Sequence, residues 1–183
     1  MARSIYPEFL AKLSAKAKAL PVGNPATEQV ALGPLINEHQ RDHALRIVQE
    51  AEQAGATIEA GGTSEGLFFQ ATVLSGVTTD SPAFTEEIFA PPVAVVVPPF
   101  DSDDEAVALA NDTEYGLAMG VISSNVARAM ALGERLNTGL LHINDQTVND
   151  DVLNPFGGVG ASGNGTSIGG APRTGRSSPP GSG

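Results

Sequence analysis

The hydrophobic positions of the first twenty residues repeat at helical spacing. Leu10, Leu13 and Ala17, with Phe9 and Leu20, recur every three or four residues, which predicts an amphipathic helix that ends before Pro21. Three prolines and two glycines then fall within residues 21–35. This composition indicates an extended connection rather than a regular element.

A second helix is predicted to begin after Asn37, which can cap it. Gln40 follows three residues later, as in a capping box, and Gly55 provides a stop. The apolar face of this helix is incomplete, so we expect the helix to lie on the surface. The apolar positions assigned to that face are Ala44, Leu45, Val48 and Ala51.

After residue 56 the pattern changes to short apolar runs that are typical of strands. Two further helices are predicted between the later runs, one beginning with the capping pair Ser102 and Glu105 and one capped by Asn125. The order strand, helix, strand, helix, strand predicts an α/β fold with a parallel sheet and helices on its faces. The predicted strands are 57–60, 68–74, 93–97, 119–122 and 140–143.

The charge balance limits the partners that the chain can have. Its 183 residues include 21 acidic and 10 basic ones, with a formal net charge of −11. Such a charge repels phosphate backbones and anionic lipid, so we expect neither nucleic acid nor a membrane as a partner. No apolar run approaches the roughly 20 residues of a membrane span, and no secretory signal pattern is present, which favours a cytoplasmic location.

Several short segments carry motifs, and they occur in a consistent order. They are 6–9, 32–36, 86–91 (EEIFAP), 109–117 and 154–159 (NPFGGV). In this order they resemble the C-terminal portion of the catalytic domain of the aldehyde dehydrogenase superfamily. Residues 142–150 are most similar to its benzaldehyde, vanillin and salicylaldehyde dehydrogenase branch. The resemblance implies a partial α/β catalytic domain over residues 1–165.

The resemblance also implies a cofactor site with NAD or NADP as the cofactor. In that family, the residue matching Glu87 hydrogen-bonds the ribose beside the nicotinamide, and the residue matching Phe89 packs against the nicotinamide ring. A carboxylate can accept from both ribose hydroxyls, and an aromatic face can orient a planar ring. Taken without the resemblance, the Glu86-Glu87 pair before an apolar strand is typical of a solvated turn.

An aldehyde site is implied near the second motif. Phe156 corresponds to a residue that forms a wall of the aldehyde pocket, and the loop 144–154, which begins with Asn144, surrounds it. Loops that follow buried parallel strands often determine specificity. The alternative is that Phe156 fills the core beneath a glycine turn.

Two other patterns do not predict sites. The run 158–163 fits the glycine motif of dinucleotide-binding proteins, but the sequence places neither an entering strand nor a following helix there. His39 and His43 stand four residues apart without the glutamate of a zincin motif. We therefore predict no metal site, and the missing cysteines exclude disulfides and thiolate ligands from this sequence.

The same lack of cysteine bears on catalysis. The family reaction needs a cysteine thiolate to attack the aldehyde, donors for the oxyanion and a glutamate to activate water. None of these maps onto this sequence, so no catalytic residue is assigned. We predict that the isolated chain is not catalytically competent.

The last segment, 166–183, is rich in glycine, proline and serine, and we expect it to be disordered. We also hypothesise that a shifted reading frame produced it. Three functional classes stay open. The chain is an inactive portion of an aldehyde dehydrogenase, a subunit that completes a separately encoded N-terminal half, or a non-catalytic module that assembles with a full-length homologue.

Overall fold

A computed structural model describes residues 1–90, 93–151 and 153–169. The chain divides into two compact units, Met1–Ala106 and Val107–Gly183, with the boundary inside one helix.

The first unit combines three helices with a mixed sheet. The central strand β4 runs antiparallel to β1 and parallel to β5, so the sheet order is β1-β4-β5. Strands β2 and β3 form a separate hairpin. The elements are α1 (Tyr6–Ala19), α2 (Glu38–Gln53), β1 (Thr57–Ala60), β2 (Ser64–Glu65), β3 (Phe68–Phe69), β4 (Thr72–Ser75), α3 (Pro82–Thr85) and β5 (Val93–Val96).

One face of helix α2 is buried in the core. Ala44, Ile47, Val48 and Ala51 are at most 1% exposed, and they belong to the same cluster as the buried Phe69. The expectation that α2 is a surface helix is therefore wrong for this face. The prediction missed Ile47, which completes the apolar stripe.

Helix α1 packs on a second, smaller cluster. Its Leu10, Leu13 and Ala17 contact the cluster formed by the buried Ala60, Val73 and Val96. The predicted stripe is correct in these positions but not at its edges, because Phe9 is 45% exposed and Leu20 is 37% exposed. Tyr6 packs against the cluster as well.

The predicted strand 68–74 is divided into β3 and β4. The hairpin ends where the Gln70 backbone nitrogen donates to the Thr63 carbonyl oxygen at 2.9 Å. Thr72 is 1% exposed, and its hydroxyl accepts from the Gly62 nitrogen at 2.9 Å and donates to the Gln70 oxygen at 2.8 Å. These side-chain hydrogen bonds hold the chain in a bend between the two short strands.

The second unit contains the predicted strand and helix order. Strands β7 and β8 are parallel, and α5 lies between them in sequence with Asn125 as its cap. The side-chain oxygen of Asn125 accepts from the Arg128 nitrogen at 3.0 Å, as predicted. The elements are α4 (Asp103–Asn111), which crosses the boundary, β6 (Tyr115–Gly116), β7 (Ala118–Val121), α5 (Val126–Gly133), β8 (Leu140–Ile143) and β9 (Val159–Gly160).

The α/β class is confirmed, and so is the parallel pair β7-β8. The predicted strand 93–97 forms its parallel pair with β4, a pairing that the sequence did not predict, rather than in one sheet with β7 and β8. The described strands also include antiparallel pairs, β1-β4, β2-β3 and β6-β9, which the sequence did not predict. Within the described ranges, no helix has both the length and the apolar character needed to cross a membrane.

The segment predicted to be disordered begins with residues that pair. Ile168 forms an antiparallel bridge with Phe156, with nitrogen-to-oxygen distances of 2.7 and 2.8 Å. Residues 170–183, most of the predicted tail, lie outside the described residues, and the boundary at residue 165 stays a prediction.

Candidate functional site

Glu87 and Phe89 lie together in the loop 86–90, directly after α3. Phe89 has a φ of +48°, the left-handed conformation that side chains rarely adopt, and it is 76% exposed. Its neighbour Ile88 packs against the core of the first unit. The backbone thus turns Ile88 toward the core, where it is partly buried, while both predicted cofactor residues stay at the surface, where a planar ligand can contact Phe89.

Helix α2 holds this loop by its backbone. The Gln40 side-chain nitrogen donates to the carbonyl oxygens of Ile88 and Phe89 at 2.8 and 3.1 Å. Gln40 therefore does not complete the predicted capping box with its side chain, although its backbone nitrogen does donate to the Asn37 side chain at 2.9 Å. Two hydrogen bonds on consecutive carbonyls stabilise the unusual conformation of Phe89.

Two further side chains of α2, three and six residues after Gln40, contact the start of the loop. His43 Nε2 lies 3.2 Å from the Glu87 carbonyl oxygen, and Arg46 forms an ion pair of 2.7 Å with the Glu86 carboxylate. The hydrogen bond to Glu86 raises the pKa of Arg46 above its ordinary value. We name Gln40, His43 and Arg46 the loop anchor.

The contacts of His43 define its tautomer. Its Nδ1 lies 3.3 Å from the Arg46 guanidinium, which can only donate, while its Nε2 faces a carbonyl oxygen, which can only accept. Both contacts are satisfied when the ring is neutral and Nε2 carries the proton. The guanidinium thus orients His43 toward the Glu87 backbone while it pairs with Glu86.

The sequence pattern does not mark the loop anchor as functional. It indicates a cap residue at Gln40 and a polar helix face at His43. The spacing of three residues is visible in the sequence, but the loop that receives these side chains lies 40 to 49 residues later.

Phe156 lies on the wall of a cavity in the second unit. The cavity has a volume of about 480 Å³ and is lined by residues 139–143, 145, 149–151 and 154–156. Phe156 is 38% exposed, which the alternative of a core-filling ring does not predict. The predicted loop 144–154 contributes five of the lining residues, namely Asp145, Asn149, Asp150, Asp151 and Asn154.

Asn144 stands at the start of this loop in a left-handed conformation, with a φ of +57°. Its side-chain oxygen accepts from the Ser123 backbone nitrogen at 2.8 Å. Asn144 is not among the cavity-lining residues, whereas its neighbours Ile143 and Asp145 are. Its side chain thus connects the end of β8 to the segment after β7.

Hydrogen bonds fix two of the three carboxylates of the cavity wall. Asp145 accepts from the Asn149 side chain at 2.7 Å and from the Gln146 nitrogen at 2.8 Å. These hydrogen bonds, that of Asn149 first, hold the pKa of Asp145 below its ordinary value. Asp151 accepts from the Leu153 nitrogen at 2.9 Å.

The glycine-rich run 158–163 has a structural role. Its Val159 and Gly160 form β9, which pairs with β6, and Gly160 has a φ of +57°. A Cβ atom on Gly160 would lie 2.4 Å from the Glu114 carbonyl oxygen. The small residue therefore permits this strand pairing, and no helix follows the run among the described residues up to 169.

The four predicted site residues thus fall into two pairs. Glu87 and Phe89 share one loop of the first unit, and Asn144 and Phe156 lie in the second. Each pair is positioned by neighbours within its own unit.

The parallel strand pair joined by a capped helix, with a cavity beside the NPFGGV motif, is part of an α/β domain. The profile described as the aldehyde dehydrogenase family matches residues 1–173. The chain therefore belongs to the aldehyde dehydrogenase family.

Individual relatives carry the names of the predicted branch. The chain is 52% identical over 167 residues to a vanillin dehydrogenase of an Amycolatopsis strain, covering 91% of this chain and 34% of that protein. It is 46% identical over 170 residues to a benzaldehyde dehydrogenase [NAD(+)] of Pseudomonas putida, covering 92% and 34%. The chain spans about a third of the length of these relatives.

Solved structures agree with this assignment. An aldehyde dehydrogenase of Mycobacterium tuberculosis complexed with NAD+ matches with a TM-score of 0.85 and 35% identity, over 92% of this chain and 35% of that one. A Pseudomonas syringae aldehyde dehydrogenase mutant, complexed with NAD+ and octanal, matches with a TM-score of 0.84 and 33% identity, over 92% and 35%.

Proposed function

We propose that this chain is a portion of an NAD- or NADP-dependent aldehyde dehydrogenase that oxidises aromatic aldehydes to carboxylic acids. The observation that carries the proposal is the 52% identity to a vanillin dehydrogenase over 91% of the chain. The NPFGGV motif and the loop of Glu87 and Phe89 both lie within the family match.

In this proposal, Glu87 and Phe89 hold the nicotinamide end of the cofactor. The bound cofactor would accept a hydride from the substrate. The exposed Phe89 offers its ring to the nicotinamide, and the Glu87 carboxylate accepts from the ribose hydroxyls. The loop anchor supports this role because it fixes the backbone of both residues without using their side chains.

The aldehyde occupies the cavity of the second unit. Phe156 forms its wall, and the loop that Asn144 begins surrounds it. An aromatic wall suits an aromatic substrate, because ring pairs stabilise one another beyond simple area burial, by about 0.5–1.5 kcal/mol.

The chain by itself does not complete the reaction. Its sequence contains no cysteine, so no thiolate is present to attack the aldehyde. Activity requires the residues that relatives carry in the other two thirds of their length. A separately encoded N-terminal half would meet this requirement. The alternative is a non-catalytic interaction module that assembles with a full-length homologue and has no activity of its own. The cytoplasmic location stays a prediction from the sequence.

A chimera tests the proposal directly. The matching 167 residues of the Amycolatopsis vanillin dehydrogenase are replaced by this chain, and reduction of NAD or NADP is followed with vanillin and benzaldehyde. We expect an active chimera, and no activity from the 183-residue chain alone. An inactive chimera that is folded and binds the cofactor would contradict the assigned aldehyde site.

Variants of the chimera separate the roles. Glu87→Gln should raise the KM for the cofactor at least about tenfold, because a charge-assisted hydrogen bond contributes more than about 1.4 kcal/mol. Glu65→Gln removes the same charge from an exposed strand of the hairpin and serves as the control. An equal effect of the two variants would contradict the cofactor role of Glu87.

A further inference from the structure

The cavity beside Phe156 has an uneven charge. Its lining residues include the apolar Ile143, Pro155 and Phe156, and the acidic Asp145, Asp150 and Asp151. No lysine or arginine is among the lining residues of the described chain. A ligand in this cavity therefore contacts an aromatic ring and lies near up to three negative charges.

Two of these three carboxylates are not free to rearrange around a ligand. Both oxygens of Asp145 accept hydrogen bonds, and Asp151 accepts from the backbone of its own loop. Asp150 makes no hydrogen bond or ion pair to another described residue, so its charge is available to an incoming ligand. Fixed charges cannot turn away from an anion, which makes their repulsion effective.

We infer that this cavity selects its aldehyde by charge, accepting neutral and cationic aromatic aldehydes and disfavouring those that carry a carboxylate or sulfonate. Asp145, Asp150 and Asp151 are the specificity-determining residues. The inference rests on the proposed function and narrows its substrate class. Because all three carboxylates are exposed, the discrimination is screened by salt.

Binding is measured on the 183-residue chain, labelled with 15N, with three benzyl alcohols that cannot form imines with lysine. The probes are benzyl alcohol, 4-(hydroxymethyl)benzoate and the para-trimethylammonium analogue. Shifts of the Ile143 and Phe156 amide resonances report occupancy. At low salt we expect the anion to bind about five- to tenfold more weakly than the neutral probe, with a smaller difference at 0.5 M salt.

Asp150→Asn should raise the affinity for the anionic probe about two- to threefold, and the double variant Asp150→Asn/Asp151→Asn should raise it further. In the double variant, the new amide oxygen at position 151 can still accept from the Leu153 nitrogen, so the loop is retained. Asp112→Asn removes the same charge from an exposed position of this unit outside the cavity wall and should change nothing.

The outcomes are distinguishable. Anion binding equal to neutral binding, or an equal effect of Asp150→Asn and Asp112→Asn, would overturn charge selection and leave the aldehyde site standing. Absence of shifts at Ile143 and Phe156 with all three probes would overturn the site itself, and charge selection with it. Weaker binding of the anionic probe than of the neutral and cationic probes, relaxed only by the cavity variants, would support the inference.

Discussion

Gly139→Ala should disrupt the cavity at its base. Gly139 immediately precedes β8 and lies against the chain that follows Phe156. A Cβ atom at position 139 would lie 1.7 Å from the Gly157 carbonyl oxygen, 2.7 Å from its carbon and 2.9 Å from the Gly158 Cα. All three atoms belong to the backbone, so no side-chain rotation can relieve the contact. The two segments must separate by at least 3.0 − 1.7 = 1.3 Å to reach the shortest separation that Cβ atoms show.

This movement sets the expected cost. Overpacking of a close-packed interior costs about 1–3 kcal/mol, and a backbone clash lies at the upper end, so we expect the free energy of unfolding to fall by about 2–4 kcal/mol. Gly120→Ala, in β7 of the same unit, is the matched control. Its nearest contacts would be the Thr147 methyl group at 3.3 Å and the Asp145 oxygen at 3.8 Å, and we expect a loss below about 1 kcal/mol.

The assay is urea unfolding followed by the amide resonances of the second unit, which isolates this unit from the first. The Gly139→Ala variant should also shift the amide resonance of Phe156 in the native state, since the segment that contains Phe156 has to move. A Gly139→Ala protein that unfolds within about 0.5 kcal/mol of the Gly120→Ala protein would refute the close approach of these two segments.

Two other predictions concern the first unit. Gln40→Met removes the donor to the Ile88 and Phe89 carbonyls but keeps the backbone cap at Asn37. We expect a lower heteronuclear NOE at the Phe89 amide, with Gln53→Met at the exposed end of α2 as the control. An unchanged NOE at Phe89 would show that the loop needs no anchor. The hydrogen bonds of Arg3, at 2.6 and 2.7 Å, lower the pKa of Asp101 below 3.8, so the pair stabilises the fold above that pH and is lost as pH falls through the native pKa. Arg3→Met should therefore slightly lower the melting temperature at pH 7, and this difference should shrink as pH falls through the native pKa of Asp101; a difference that does not change with falling pH would contradict this coupling.

Local rules of the sequence predicted the helix starts well. Asn37 and Asn125 cap α2 and α5 as expected, because a cap hydrogen bond spans only three residues. Ser102 and Glu105 act similarly at α4, where Ser102 accepts from the Glu105 nitrogen. The starts of these three helices are therefore readable from a few neighbouring residues.

Features that depend on distant segments could not be predicted in this way. The burial of α2 depends on Phe69 and Leu74, which lie beyond the helix in sequence, and its polar residues concealed the apolar stripe. The bend between β3 and β4 depends on the Thr72 hydroxyl, which a β-propensity pattern treats as an ordinary strand position. The approach of Gly139 to Gly157 joins segments 18 residues apart.

The candidate cofactor residues combine both kinds of information. The motif identifies Glu87 and Phe89, but the conformation of Phe89 is stabilised by Gln40, 49 residues earlier. A residue that adopts a left-handed backbone without being glycine costs about 1–2 kcal/mol, and the two hydrogen bonds of Gln40 are together of about that size. The loop can therefore present its ring only when α2 is folded beside it. The EEIFAP motif is thus not self-sufficient: its geometry belongs to α2 and the loop together, and transplanting the motif without the helix should not transplant the site.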